Sequence, residues 1–181
     1  AVERVRREWG AIDIVVHAAG VNADKRLADK TMEQFDHVFG AKVDGLHALL
    51  NALSGRPPRR WMLFGSIAGT HGNAGQADYA MANEVLNRVA NAEVQHRNDG
   101  QDGHCVVKSI GWGPWAGGMV TPVLKAKFEE MGVPLIPLDA GARAFVDEVQ
   151  SAALNEVETV IGGMPQEGPL IDPGRAETPK S

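Results

Sequence analysis

The most constraining feature of this 181-residue sequence is a repeated alternation of short apolar runs with longer stretches of helical period. The apolar runs are Ile12–Val16, Arg60–Gly65, His104–Ile110 and Val157–Ile161. Runs this short and this continuous suit strands buried on both faces, as in a parallel sheet. Between them lie helical patterns. Val2, Val5 and Trp9 recur at three to four residues, and Gly10 stops that helix. Thr31 and Gln34 form a capping-box pattern ahead of Phe35, Val38, Phe39, Val43, Leu46, Leu49 and Leu50. Gly55-Arg56-Pro57-Pro58 ends that helix. Further helices are predicted from about Gln76 to His96, Pro122 to Met131 and Asp139 to Ala153. Strands alternating with helices imply βαβ units, right-handed crossovers and a parallel sheet. The predicted fold class is α/β, a Rossmann-like doubly wound parallel sheet.

Composition removes several alternatives. With 18 basic against 23 acidic residues and a net charge of −5, the chain carries no basic footprint for nucleic acid. No apolar run approaches the ~20 residues that span a bilayer. Ala1–Gly10 alternates charge and lacks the apolar core of a signal peptide. A single cysteine, Cys105, cannot form an internal disulfide and points to a reducing, cytoplasmic setting. Within an apolar run it reads as an inert core thiol. His37, His47, His71, His96 and His104 are scattered without zinc spacing, so no metal is expected. After Gly163 periodicity stops, and residues 164–181, rich in Pro and Gly, read as an interdomain linker or flexible tail.

Two short matches to known motifs fail on physical grounds. Gly111-Trp112-Gly113-Pro114-Trp115-Ala116 has the form G-x-G-x-x-G/A, but a phosphate cradle needs a bare turn opening a helix, and this loop carries two Trp and a Pro. Phe64-Gly65-Ser66-Ile67-Ala68 lacks the glycines a nucleophile elbow requires. The informative group is different. Ser66 lies at the carboxyl end of the second strand, Tyr79 at the start of the next helix, and Asn83 four residues on, on the same helix face. Carboxyl ends of strands are where open α/β sheets bind ligands. A phenol and a hydroxyl converging there can share a carbonyl oxygen, the phenol as general acid and the hydroxyl as hydrogen-bond donor. A nearby cation would favour the phenolate, and Lys42 on the preceding helix is the candidate. Taken singly, each residue has a plainer reading. Lys42 and Asn83 would be solvated helix residues, Tyr79 a rim aromatic and Ser66 an N-cap. His17 reads as a satisfied histidine, and Arg56, Arg59 and Arg60 as a solvated loop. Trp112 and Trp115 divide evenly between packing and a substrate platform.

Ser66, Tyr79 and Asn83, with His17-Ala18-Ala19-Gly20 upstream, resemble the short-chain dehydrogenase/reductase superfamily. The usual pattern there is Y-x-x-x-K with an Asn on the preceding helix. Here the two are exchanged, Lys42 coming first and Asn83 following Tyr79, as is typical of ketoreductase domains of polyketide and multidomain fatty acid synthases. The phrases HAAGV, GSIAG, GNAGQADYAMANEVLN and GWGPWAGGMV resemble those domains. The last two are closest to domains of iterative and polyunsaturated-fatty-acid-type synthases. The resemblance covers residues 1–163.

It implies NADPH-dependent reduction of a β-ketoacyl group on an acyl carrier protein, within a multifunctional synthase whose other domains are partners. Tyr79 would protonate the forming alkoxide, and Ser66 would hold the ketone oxygen. Lys42 would bind the nicotinamide ribose and depress the Tyr79 pKa, and Asn83 would position Lys42 and a relay water. Ala18, Ala19 and Gly20, then Gly113 and Pro114, would line the cofactor. Gly118, Met119 and Val120 would begin a lid over substrate. Residues 1–163 are then expected to be the later, catalytic portion of such a domain, with the phosphate-binding half outside the chain. Two markers of product stereochemistry are missing. Val21-Asn22-Ala23-Asp24 stands where a Leu-Asp-Asp signature would, and His71 where a Trp would. Rival readings are a non-catalytic structural subdomain and a freestanding 3-oxoacyl-carrier-protein reductase.

Overall fold

A computed structural model describes residues 1–99, 105–151 and 156–163. The element order is α1 (Val2–Trp9), β1 (Ile14–His17), a 3₁₀ turn (Leu27–Asp29), α2 (Met32–Leu53), β2 (Arg60–Ser66), α3 (Ile67–His71), α4 (Ala77–Asp99), β3 (Val106–Trp112), α5 (Pro122–Glu130), α6 (Leu138–Gln150) and β4 (Glu158–Ile161). The four strands form one parallel sheet in the order β1-β2-β3-β4. In register, Leu63 lies beside His17 and Ser109, while Ser66 pairs with Trp112, which pairs with Ile161. The carboxyl ends of β2, β3 and β4 therefore finish level, and the candidate site residues gather there.

Alternation along β2 sorts its side chains between two layers. Trp61 and Leu63 join Leu46 and Leu53 of α2, Leu86 and Ala90 of α4, and Val107. Met62 joins Ile110, Trp112 and Ile136, with Phe64 and the α6 residues Ala144, Phe145 and Val149 packed alongside. Each of these large side chains contributes about 1.5–3 kcal/mol by leaving water. β3 is buried at every position, as its continuous apolar run requires. The capping box is formed: the Thr31 side chain accepts from Gln34 N, and the Gln34 side chain accepts from Thr31 N.

Within the described residues β1 packs its Val15 and His17 side, while Ile14 and Val16 on its other face stand exposed. Two sequence expectations are corrected. β3 begins at Val106 and runs on through Gly111 and Trp112, residues expected in the following loop. The helix α3, five residues long, was too short to show a period. It matters because Gly69 lets it press on α4. A Cβ at Gly69 would stand 3.0 Å from both Asn83 Cβ and Glu84 N. His104, Ala153 and the 164–181 segment lie outside the described residues. Among the described residues no helix is long and apolar enough to cross a membrane, and no cluster of His, Cys, Asp and Glu could hold a metal.

Candidate active site

Ser66 serves two structural ends at once. It closes β2 and caps α3, its Oγ accepting from Ala68 N at 3.2 Å. The plainer reading of an N-cap is therefore correct, and it leaves the hydroxyl proton free to be donated elsewhere. Tyr79 sits in the first turn of α4, with its phenol in the neighbourhood of Ser66 and Asn83. Burial pushes the phenol above its ordinary pKa, Ser66 and Asn83 pull it back, and the Asp24 carboxylate adds to the rise, so the depression expected from Lys42 is not seen. Asn83 is completely buried, and its Nδ2 donates to the Tyr79 carbonyl at 2.7 Å.

Lys42 is not a solvated helix lysine. It is 3 % exposed, its Nζ donates to the Phe64 carbonyl at 2.7 Å, and the ammonium stands 5.6 Å from the centroid of the Tyr79 ring. Burial lowers its pKa to about 8. Two neighbours make room for it and anchor it. A Cβ at Gly20 would come within 3.2 Å of Lys42 Cε, so the bare backbone there lets the side chain through. Beneath, His17 Nε2 lies 2.8 Å from the Lys42 carbonyl. A carbonyl only accepts, so this nitrogen carries the proton, and burial lowers the histidine pKa and favours the neutral ring.

These groups border a cleft of about 350 Å3. Ala18, Gly20, Lys42, Ser66, Tyr79, Gly113, Pro114, Gly118, Met119 and Val120 all line it. Two expected members do not: Ala19 is exposed away from the cleft, and Asn83 lies beneath Tyr79 rather than on the surface. Trp112 and Trp115 combine the two readings, packing edge to face at 4.8 Å while forming one wall. Sequence reasoning missed the polar rim of Asn22, Asp24, Asn73 and Gln76, and the apolar wall of Leu124, Phe128 and Leu138. The rim forms only when two distant loops meet, as where Gln76 Nε2 donates to Asp24 Oδ2 at 2.8 Å.

The donor set suits the nicotinamide-ribose end of a dinucleotide. Small residues at 18, 20 and 113 leave a bare floor beside an ammonium and a phenol. At Gly113 a Cβ would lie 3.3 Å from Gly162 Cα, so the floor cannot carry a larger side chain without moving β4.

A parallel sheet with Ser, Tyr and Lys gathered at its carboxyl edge defines the class as a Rossmann-like reductase fold of the short-chain dehydrogenase/reductase type. A short-chain dehydrogenase/reductase from Brucella melitensis shares the fold at a TM-score of 0.75 and 18% identity, over 88% of this chain and 66% of that one. The KR domain family model matches residues 1–117, and the chain belongs to that family. It is 48% identical over 133 residues to a polyunsaturated fatty acid synthase chain of a Thraustochytrium species, covering 74% of this chain and 4% of that protein. It is 31% identical over 183 residues to a 6-methylsalicylic acid synthase of Arthrobotrys oligospora, covering 94% of this chain and 10% of that one. A ketoreductase domain from the bacillaene assembly line superposes at a TM-score of 0.78 with 27% identity, over 89% of this chain and 38% of that one. The chain thus spans a small part of the synthases it matches and about a third of the solved ketoreductase.

Proposed function

We propose that residues 1–163 are the catalytic portion of a ketoreductase domain. It would reduce a β-ketoacyl thioester on an acyl carrier protein, using NADPH, within a cytoplasmic multifunctional polyketide or fatty acid synthase. The observation that carries this reading is Ser66 and Tyr79 lining one cleft at the strand ends, with the Lys42 ammonium 5.6 Å from the phenol ring. Ala18, Gly20, Gly113, Pro114 and Lys42 would hold the nicotinamide end of the cofactor, which supplies the hydride when bound.

The chain's own work is orientation and proton transfer. Ser66 and Tyr79 point two donors at one oxygen, which fixes the ketone and stabilises the charge that grows on it. A phenol is protonated at neutral pH even at its ordinary pKa, and burial of Tyr79 raises that pKa further, so it is loaded as an acid. Its proton goes to the alkoxide oxygen, and the Lys42 ammonium beside the ring stabilises the phenolate left behind. Asn83, bonded to the Tyr79 carbonyl, holds the first turns of α4 in register with Ser66. The apolar wall of Leu124, Phe128 and Leu138 suits an acyl chain, and Gly118–Val120 would close over it. A structural module would have no use for a buried lysine aimed at a tyrosine.

The test is Tyr79→Phe in the complete reductase that contains this segment. Reduction of a β-ketoacyl thioester is expected to fall ~10²–10⁴-fold with NADPH affinity retained. Near-normal turnover would overturn the assignment.

A further inference from the structure

A second buried cation lies close to Tyr79, and nothing above assigns it a role. Lys30, at the end of the loop that follows β1, donates from Nζ to Asp78 Oδ2 at 2.7 Å and to the Ala23 carbonyl at 2.7 Å. Both side chains of the pair are 2% exposed. Asp78 immediately precedes Tyr79, and its other oxygen, Oδ1, accepts from Tyr79 N at 2.9 Å. A buried carboxylate is thus bonded directly to the backbone of the candidate acid, and its charge is met by a lysine 48 residues away in sequence. Two more contacts join the same segments: Lys25 N donates to the Gly75 carbonyl at 2.9 Å, and Gln76 Nε2 donates to Asp24.

We propose that Lys30 and Asp78 form a charge-compensating clamp that fixes the first turn of α4 and screens the Asp78 carboxylate, bonded to the Tyr79 backbone, from the phenol of that residue. The proposal rests on Tyr79 being the acid only for its bearing on catalysis; the clamp itself is a statement about geometry and charge. The physical case has two parts. A carboxylate at the start of a helix is favoured by the exposed N–H groups there, which explains its position. Buried without a counter-charge, it would also oppose ionisation of a neighbouring phenol and cost several kcal/mol in desolvation. Lys30 removes both penalties, and by also holding the Ala23 carbonyl it ties the loop carrying Asn22 and Asp24 to the helix carrying Tyr79. Lys30 and Asp78 are positioning residues, not catalytic ones.

Several groups face the phenol: Lys42 from α2, Ser66 from the end of β2, Asn83 from α4 and Asp24 from the loop after β1. Lys42, Ser66 and Asn83 are held by contacts outside the clamp, whereas Asp24 lies on the loop the clamp ties down, so opposite shifts in the two single variants separate a charge effect from a common displacement of that loop. Tyr79 is the single tyrosine of the chain, so phenolate absorbance reads this one group directly.

The experiment is a spectrophotometric titration of the full 181-residue chain, with circular dichroism confirming the fold at each pH. In Asp78→Asn the lysine charge is unopposed and the phenol pKa is expected to fall. In Lys30→Met the carboxylate is unopposed and the pKa is expected to rise. The double variant is expected to return towards the native value, and Lys30→Arg to retain it. Shifts of the same sign in the two single variants, no shift in either, or a double variant further from native than both would overturn the clamp. If Lys30→Met does not fold, near-isosteric Asp78→Asn decides alone: an unchanged or raised pKa refutes the proposal. The outcome is independent of turnover. Opposite shifts alongside a fully active Tyr79→Phe enzyme would retain the clamp and reject the reductase chemistry. Absent shifts with an inactive Tyr79→Phe enzyme would do the reverse.

Discussion

Gly69→Ala offers the sharpest view of how packing sets the site. Gly69 lies inside α3 with a helical φ that alanine also adopts, so any cost must come from contact rather than backbone strain. The added methyl would stand 3.0 Å from Glu84 N, 3.0 Å from Asn83 Cβ and 3.1 Å from Asn83 C. These are mostly backbone atoms of α4 and cannot swing aside. Ordinary contact begins near 3.4 Å, so relief requires the helices to part by at least 0.4 Å, the difference between 3.4 and 3.0. Two energies oppose each other. Alanine gains up to about 1 kcal/mol in helix propensity, while overpacking costs about 1–3 kcal/mol. The net expectation is a loss of about 1 kcal/mol, or roughly 2–4 °C in Tm for a chain of this size. The catalytic effect should be larger than that small loss suggests. The displaced residues, Asn83 and Glu84, lie one turn from Tyr79, whereas Ser66 is held by α3 itself. A misplacement of 1 Å costs about 10²-fold, so a shift near half that should lower kcat by about tenfold. Melting by circular dichroism and kcat in the complete reductase are the two readouts. A variant that keeps both native values would show that α3 and α4 have slack the geometry denies, and the reasoning would fail.

Other expectations follow from single sites. Lys42 has a folded pKa near 8 against 10.5 for the free side chain. Below pH 8 both states hold the proton and the burial penalty, at most about 3 kcal/mol, is fully present. Between the two values the unfolded chain binds more protons, so stability rises with pH. Lys42→Met should abolish that rise in urea midpoints, and a persistent rise would reassign it to another group. Glu148→Gln should cost about 3–5 kcal/mol, because it strands Lys108, which is fully buried and bonded to Glu148 at 2.6 Å. Lys108→Met should cost less, since Glu148 keeps 18% exposure; urea denaturation of both variants checks the order. Gly141→Ala would place a Cβ 2.4 Å from Trp115 Cη2, so the indole must turn from the cleft wall. KM for the acyl substrate should rise several-fold while NADPH binding is unchanged.

The parallel architecture was legible because alternation of apolar runs and helical periods is a local signal, and the Thr31–Gln34 box is written within four residues. What escaped depends on neighbours. The run from Ile12 to Val16 has the composition of a central strand, and nothing in it shows that only its Val15 side is packed among the described residues. In α3, five residues containing Gly and Thr show no period, yet its cap places Ser66. Ser66 and Tyr79 stand out by their place at a strand end and a helix start. The burial of Lys42 beside the Tyr79 ring, and the Lys30–Asp78 and Asp24–Gln76 pairs, arise from chain segments that meet only after folding. No local pattern announces them.

The side-by-side packing of α2 and α4 couples two positions that lie far apart along the chain. From two different helices, Lys42 and Asn83 reach the same tyrosine, so the lysine and the amide can exchange helices while the space around the phenol keeps its contents. The route between the two arrangements is hard to cross. A chain with both lysines would crowd two cations into one dry volume, and a chain with both amides would leave the phenol without a charge beside it. Either intermediate loses what the site depends on. An exchange of the two residues between the helices would therefore require both positions to change together.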